Sequence, residues 1–367
     1  MTDAPQDSGR NLVLCLDGTN NEPETGTTNV GRMYDLAVKD DRQLVYYDPG
    51  VGTMGARGAV TPWGRKLTRW AGLVAGFGVK DNLEEAYTFL MRNYRKDDRI
   101  FVFGFSRGAY TARALTGMLR TVGLLRPGTE NLVPYAVKLY AQAGEESPTK
   151  EQRSEYFRLR REFARQFGNP DFPNPFDTSR RQVHFLGVWD TVKSVGWLNW
   201  KARIEQARWP FTAKITNVGT ARHALAIDER RRPYEEYRFN ADAVAQSRGH
   251  YREMWFAGVH SDVGGQYRDD HGLSDIAFAW MTKEAESFDL RVDPQAYQRL
   301  LGVEHGEELP EDRALGTLHP NERAWRLLGG WRERPIRPGD RVHPSVRYRI
   351  EANADSDRPY APSVPSG

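Results

Sequence analysis

Gly104-Phe105-Ser106-Arg107-Gly108 is a G-x-S-x-G pentapeptide, the residue types and spacing that can present an activated serine to an acyl carbonyl. Serine between glycines recurs by chance, so the surroundings carry the reading. Arg99 to Phe105 reads as a strand without alternation. Ala109 to Val122 reads as a helix ended by Gly123, with small residues at Ala109, Ala112 and Ala114. A nucleophile elbow needs this arrangement. The serine sits in a strained turn, and Gly104 and Gly108 let strand and helix approach without Cβ collisions. The hydroxyl then stands above the sheet, where the helix N-terminus favours negative charge. The structural alternative is a tight strand–helix turn with Ser106 as N-cap.

Serine at its free pKa is a poor nucleophile, so a histidine base and an acidic orienter are required. His260 directly follows a buried run and precedes a glycine-rich loop, and His343 lies in a late, strand-like segment. His184 sits inside a strand pattern and reads as packing. The other histidines read as surface residues, with His223 a candidate for lining a cleft. Asp190 ends the run Gly187-Val188-Trp189. Asp262 is too close to His260 in sequence to orient it, but suits a His343 base. Two triads follow the serine–acid–histidine order: Ser106, Asp190 and His260, or Ser106, Asp262 and His343. Backbone amides of Gly18 or Thr19, with that of Arg107, are candidates for an oxyanion hole, and Asp17 for fixing that loop. Asp17, His260 and Asp262 are also ligand-type residues on converging loops, which keeps a metal-assisted hydrolase as an alternative. They lack the spacing of a metal motif, and neither metal nor cofactor is expected.

These residues need a scaffold of strand ends. Asn11 to Leu16, Leu44 to Tyr47, Val183 to Trp189 and Met254 to Val259 read as further strands. Asp81 to Tyr94, Lys150 to Phe167, Val218 to Ile227 and Leu273 to Met281 read as helices. Non-alternating strands followed by helices predict an α/β-hydrolase-like fold, a mostly parallel sheet flanked by helices with helical and loop insertions. No clean linker interrupts the chain, so residues 1–367 are expected to form one domain. The segment 51–80, with Trp63, Trp70 and Phe77, is a candidate lid that with Trp197 and Trp200 could contact an acyl chain, and 127–181 a helical insertion or cap.

Composition narrows the function classes. Lys and Arg total 52 against 49 Asp and Glu, a formal charge of +3 over 367 residues, which gives no field suited to nucleic acid. The one cysteine, Cys15, lies in an apolar run and reads as a buried hydrophobe, compatible with a reducing compartment. No apolar stretch approaches a membrane span, and the polar N-terminus lacks the pattern of a signal peptide. The expectation is a cytoplasmic protein, with export by machinery that reads folded protein compatible with this pattern.

Four motifs in order resemble the uncharacterised α/β-hydrolase-like family that includes the phospholipase effectors of bacterial type VI secretion. They are Leu16-Asp17-Gly18-Thr19-Asn20-Asn21, Gly104-Phe105-Ser106-Arg107-Gly108-Ala109, Gly187-Val188-Trp189-Asp190-Thr191-Val192 and the run from Phe256 through His260 and Asp262 to Gly265. The resemblance implies a triad of Ser106, Asp190 and His260, with Asp262 in a supporting position. It implies a serine esterase or lipase acting through an acyl-enzyme on carboxylic esters, phospholipid acyl esters among them. A small soluble ester is equally compatible, as is a non-catalytic interaction module on the same scaffold. Peripheral membrane contact and a delivery or immunity partner would follow for a secreted effector.

Overall fold

The apolar runs become strands of one sheet in the computed structural model, which describes residues 9–18, 27–50, 77–143, 149–177, 179–192, 209–321 and 330–364. The strands are β1 (Asn11–Leu16), β2 (Gln43–Asp48), β3 (Arg99–Phe105), β4 (Val183–Trp189), β5 (Val218–Ala226), β6 (Tyr251–Phe256) and the short β7 (Arg341–Val342). Their order is β2-β1-β3-β4-β5-β6-β7 and every pairing is parallel. The chain runs from β1 outward to β2, then returns to the other side of β1 for β3. Such a reversal opens a crevice at the carboxyl ends of the strands, where ligands bind in open α/β sheets.

Helices cover both faces, which is why the strands do not alternate between apolar and polar residues. On one face Leu12, Leu14, Ile100, Val102 and Leu186 pack against α2 (Phe77–Asn93), α3 (Arg107–Val122) and α4 (Val133–Gln142). On the other, Val13, Cys15, Phe101, Phe103 and Phe185 pack against α1 (Asn29–Leu36), α8 (Gly272–Glu286) and α9 (Pro294–Leu301). Between 127 and 181, α4 is followed by α5 (Lys150–Phe167), whose exposed faces are charged and whose Phe163 joins the first core. The candidate-lid residues 51–76 lie outside the described residues, as do Trp197 and Trp200. Among the described residues, no helix is long and apolar enough to cross a membrane.

One expected helix is a strand. The alanine-rich stretch Val218 to Ile227 supplies β5, which ends at Ala226, between β4 and β6. Pairing on both edges and helices on both faces override local propensity there. Ala221, Ala224 and Ala226 are fully buried, small enough to sit under packed side chains. The polar residues of β5 find partners: Arg222 Nε donates to Glu284 at 2.5 Å, and His223 Nδ1 donates to Glu253 at 3.0 Å.

Cys15 has no exposed surface, and burial, aided by the nearby Asp17 charge, pushes its thiol well above the usual range. A thiol reagent such as Ellman's should therefore titrate no cysteine in the native protein and one after denaturation. Rapid native reaction would contradict the packing of β1.

Candidate active site

Parallel register sets the first two site residues side by side. Phe105 of β3 lies opposite Trp189 of β4, so the next residues, Ser106 and Asp190, leave adjacent strand ends. The Ser106 N–H donates to Trp189 O at 3.1 Å, tying the two turns together. Ser106 has φ +58° and ψ −121°, a conformation that costs a non-glycine residue free energy. The turn holds because α3 begins at once and sits against β1 and β3. A Cβ on Gly108 would fall 2.1 Å from Leu16 O, and one on Gly104 would fall 2.6 Å from Gly108 O. Ser106 makes no side-chain bond to the amides of α3, so it is no conventional N-cap.

Its hydroxyl instead meets His260, with Oγ 2.8 Å from Nε2. Nδ1 of the same ring lies 2.6 Å from Asp190 Oδ2. A carboxylate only accepts, so Nδ1 carries the ring proton and Nε2 is left to accept from the serine. His260 begins α7 (His260–Gly264), two residues past Gly258, which closely follows β6. Its ring lies between Phe105, with centroids 4.6 Å apart, and Tyr234, at 4.9 Å edge-on. The His260 N–H donates to Glu229 Oε2 at 3.2 Å. Burial draws the imidazole below its ordinary value, and the bond to Asp190 pushes back without cancelling that effect.

Asp190 has no exposed surface. Oδ1 accepts from Ala226 N–H at 3.1 Å and from Arg334 Nη1 at 2.5 Å, while Oδ2 accepts from Arg334 Nη2 at 3.0 Å as well as from His260. Burial alone would raise this carboxyl, but the Arg334 charge and the His260 bond hold it below the usual carboxylate range.

The remaining expected residues fall in varied places. Asp17 fixes the loop after β1: Oδ1 accepts from Gly18 N–H at 2.7 Å, and Oδ2 accepts from Thr28 Oγ1 at 2.5 Å and Tyr47 OH at 3.0 Å. The Gly18 amide, expected at the oxyanion, is thus given to Asp17, and Thr19 lies outside the described residues. The Arg107 amide heads α3, in the first turn where amides have no intrahelical acceptor. Asp262 does not meet His343. It accepts from Val259 N–H at 2.9 Å and from His319 Nδ1 at 2.6 Å, fixing the turn that carries His260. His343 is not in a strand. It caps α10 (Pro344–Ala352), accepts from Ser345 N–H and stacks on Phe256 at 4.9 Å. His223, considered for a cleft, is fully buried in β5.

Sequence reasoning missed Arg334, Glu229 and His319. Each is far along the chain from the residue it serves, 144 residues in the case of Arg334, and no short spacing announces such a pair. A cavity of about 710 Å³ bounded by Trp280, Tyr297, His305 and His343 is lined by none of Ser106, Asp190 or His260.

Residues 10–284 match the family model described as the type VI secretion, Tle1-like phospholipase effector catalytic domain. The uncharacterized protein YEL023C of Saccharomyces cerevisiae is 34% identical over 240 residues, which make up 63% of this chain and 33% of that protein. An uncharacterized protein from Pseudomonas aeruginosa has a crystal structure similar over 79% of this chain and 47% of that one, with 16% identity and a TM-score of 0.37. The Tle1 effector bound to the VgrG spike of the type VI secretion system is similar over 71% of this chain and 51% of that one, with 18% identity and a TM-score of 0.35. The chain spans a third of the yeast relative and about half of each of these structures.

The close packing at the elbow makes Gly108→Ala informative. A Cβ against the Leu16 carbonyl should cost about 2–3 kcal/mol and lower Tm by roughly 5 °C in calorimetry. An unchanged Tm would show that β1 and α3 are not in that contact.

Proposed function

The chain belongs to the Tle1-like phospholipase effector catalytic-domain family, and on that footing we propose that it is a serine hydrolase of carboxylic esters. Family membership supports hydrolase activity in general. The observation that supports the finer reading is the continuous hydrogen-bonded chain from Ser106 Oγ through His260 to Asp190, laid across adjacent ends of a parallel sheet.

In this mechanism His260 Nε2 takes the Ser106 proton as Oγ attacks the acyl carbonyl. Asp190 keeps Nδ1 protonated and stabilises the imidazolium that forms. The amide of Arg107 donates to the oxyanion, aided by the positive end of α3. The imidazolium then gives its proton to the leaving alcohol oxygen. Water attacks the acyl-enzyme with His260 again as base, and the acid departs with Ser106 restored. Glu229 holds the His260 amide and Asp262 the Val259 amide, fixing the backbone that carries the imidazole so that Nε2 stays within reach.

Phospholipid acyl esters are the substrate class that the family suggests, which would bring peripheral contact with a lipid surface. Delivery through a type VI apparatus, with an immunity partner in the producing cell, belongs to the same proposal.

The test is hydrolysis of p-nitrophenyl esters from acetate to palmitate and of phospholipid vesicles, by wild type and Ser106→Ala, with and without EDTA. Ser106→Ala should lose about 10⁴-fold or more in kcat, and EDTA should change nothing. Activity that survives Ser106→Ala, or that EDTA abolishes, would contradict the serine mechanism.

A further inference from the structure

We propose that Arg334 is a positioning residue for this reaction: its guanidinium grips both oxygens of Asp190 and offsets part of the charge that His260 would otherwise feel. The inference rests on the serine-hydrolase reading above and concerns a residue beyond the segment that matches the family model.

Arg334 is 8% exposed, and both terminal nitrogens are fully engaged. Nη1 donates to Asp190 Oδ1 and to Ala226 O at 2.9 Å, and Nη2 donates to Asp190 Oδ2 and to Tyr234 O at 2.6 Å. Its planar fork therefore joins the acid, the end of β5 and the turn whose Tyr234 ring borders His260. Nε has no hydrogen-bond partner among the described residues. A guanidinium this desolvated is costly unless its charge is matched, and Asp190 is its ion-pair partner.

The charges facing the imidazole then balance. Asp190 is paired with Arg334, and Glu229 is paired with Arg231 through Oε2 at 2.7 Å. Asp262 is bound to His319. His223, below Asp190, accepts from Thr191 N–H and is held neutral, its imidazole drawn down to about 4 by burial. With the Asp190 charge shared by Arg334, burial of the ring outweighs the pull of the carboxylate on a second proton. The base is free at lower pH than an imidazole beside an unshared aspartate. Removing the guanidinium leaves one net negative charge against the ring, favours imidazolium, and moves the acid limb of activity upward.

The experiment is the pH profile of kcat/KM on an ester the wild type hydrolyses, for wild type, Arg334→Gln and Arg334→Lys, with Ser106→Ala in parallel. The wild-type limb should fall below the ordinary imidazole value of about 6.5. Arg334→Gln should raise it by about one pH unit. Arg334→Lys, which keeps the charge and loses the fork, should leave the limb near wild type while lowering kcat. Where Arg334→Gln fails to fold, an Arg334→Lys limb displaced upward from the wild-type one overturns the proposal. So does an Arg334→Gln variant slowed equally at every pH, the result of a purely structural role. Activity remaining in Ser106→Ala would instead overturn the serine mechanism itself.

Discussion

A carboxylate with no exposed surface must be kept charged by its neighbours, and the loops above the sheet are built around that requirement at Asp190. Its two oxygens accept from an imidazole, a guanidinium and the Ala226 amide. Left unmatched, such a group would take up a proton and lose its hold on His260. Those contacts come from the ends of β4 and β5, from α7 and from the stretch before β7, so the electrostatic requirement joins four distant parts of the chain.

The sheet makes this meeting possible. Parallel strands deliver all their carboxyl ends to one side, and the reversal between β1 and β3 leaves a crevice there. Register carries the rest: Phe105 faces Trp189, Trp189 faces Ala224, and Ala226 faces Phe256. The residues just beyond these pairs are the serine, the aspartate and the turn leading to the histidine. At the end of β1 the same rule places Asp17, whose oxygens accept from Gly18, Thr28 and Tyr47.

Much of this was legible in the residues because local sequence and position coincide. Ser106, Asp190 and His260 each follow an apolar run, and the glycines around Ser106 mark where backbone meets backbone. The parallel sheet could be read from strands that do not alternate. The choice between His260 and His343 could not be read from spacing, since both follow strand-like segments and only the family resemblance favoured one. His343 lies beside a two-residue strand but spends its ring on Phe256 and its Nδ1 on the helix it caps. β5 was misread because alanine-rich sequence favours helix until neighbours on all sides decide otherwise. Arg334 and His319 were invisible because their partners lie 144 and 57 residues away. Charge compensation at that range is a property of the fold and leaves no periodic trace in the sequence.

Ser106 acts as a nucleophile only if His260 and Asp190 activate it. The direct measurement is fluorophosphonate modification of the native protein, with the adduct located by peptide mass spectrometry. The account predicts one adduct per chain, on the peptide carrying Ser106, and a rate that collapses in His260→Gln. An unmodified Ser106, or labelling that is indifferent to the loss of His260, would contradict it.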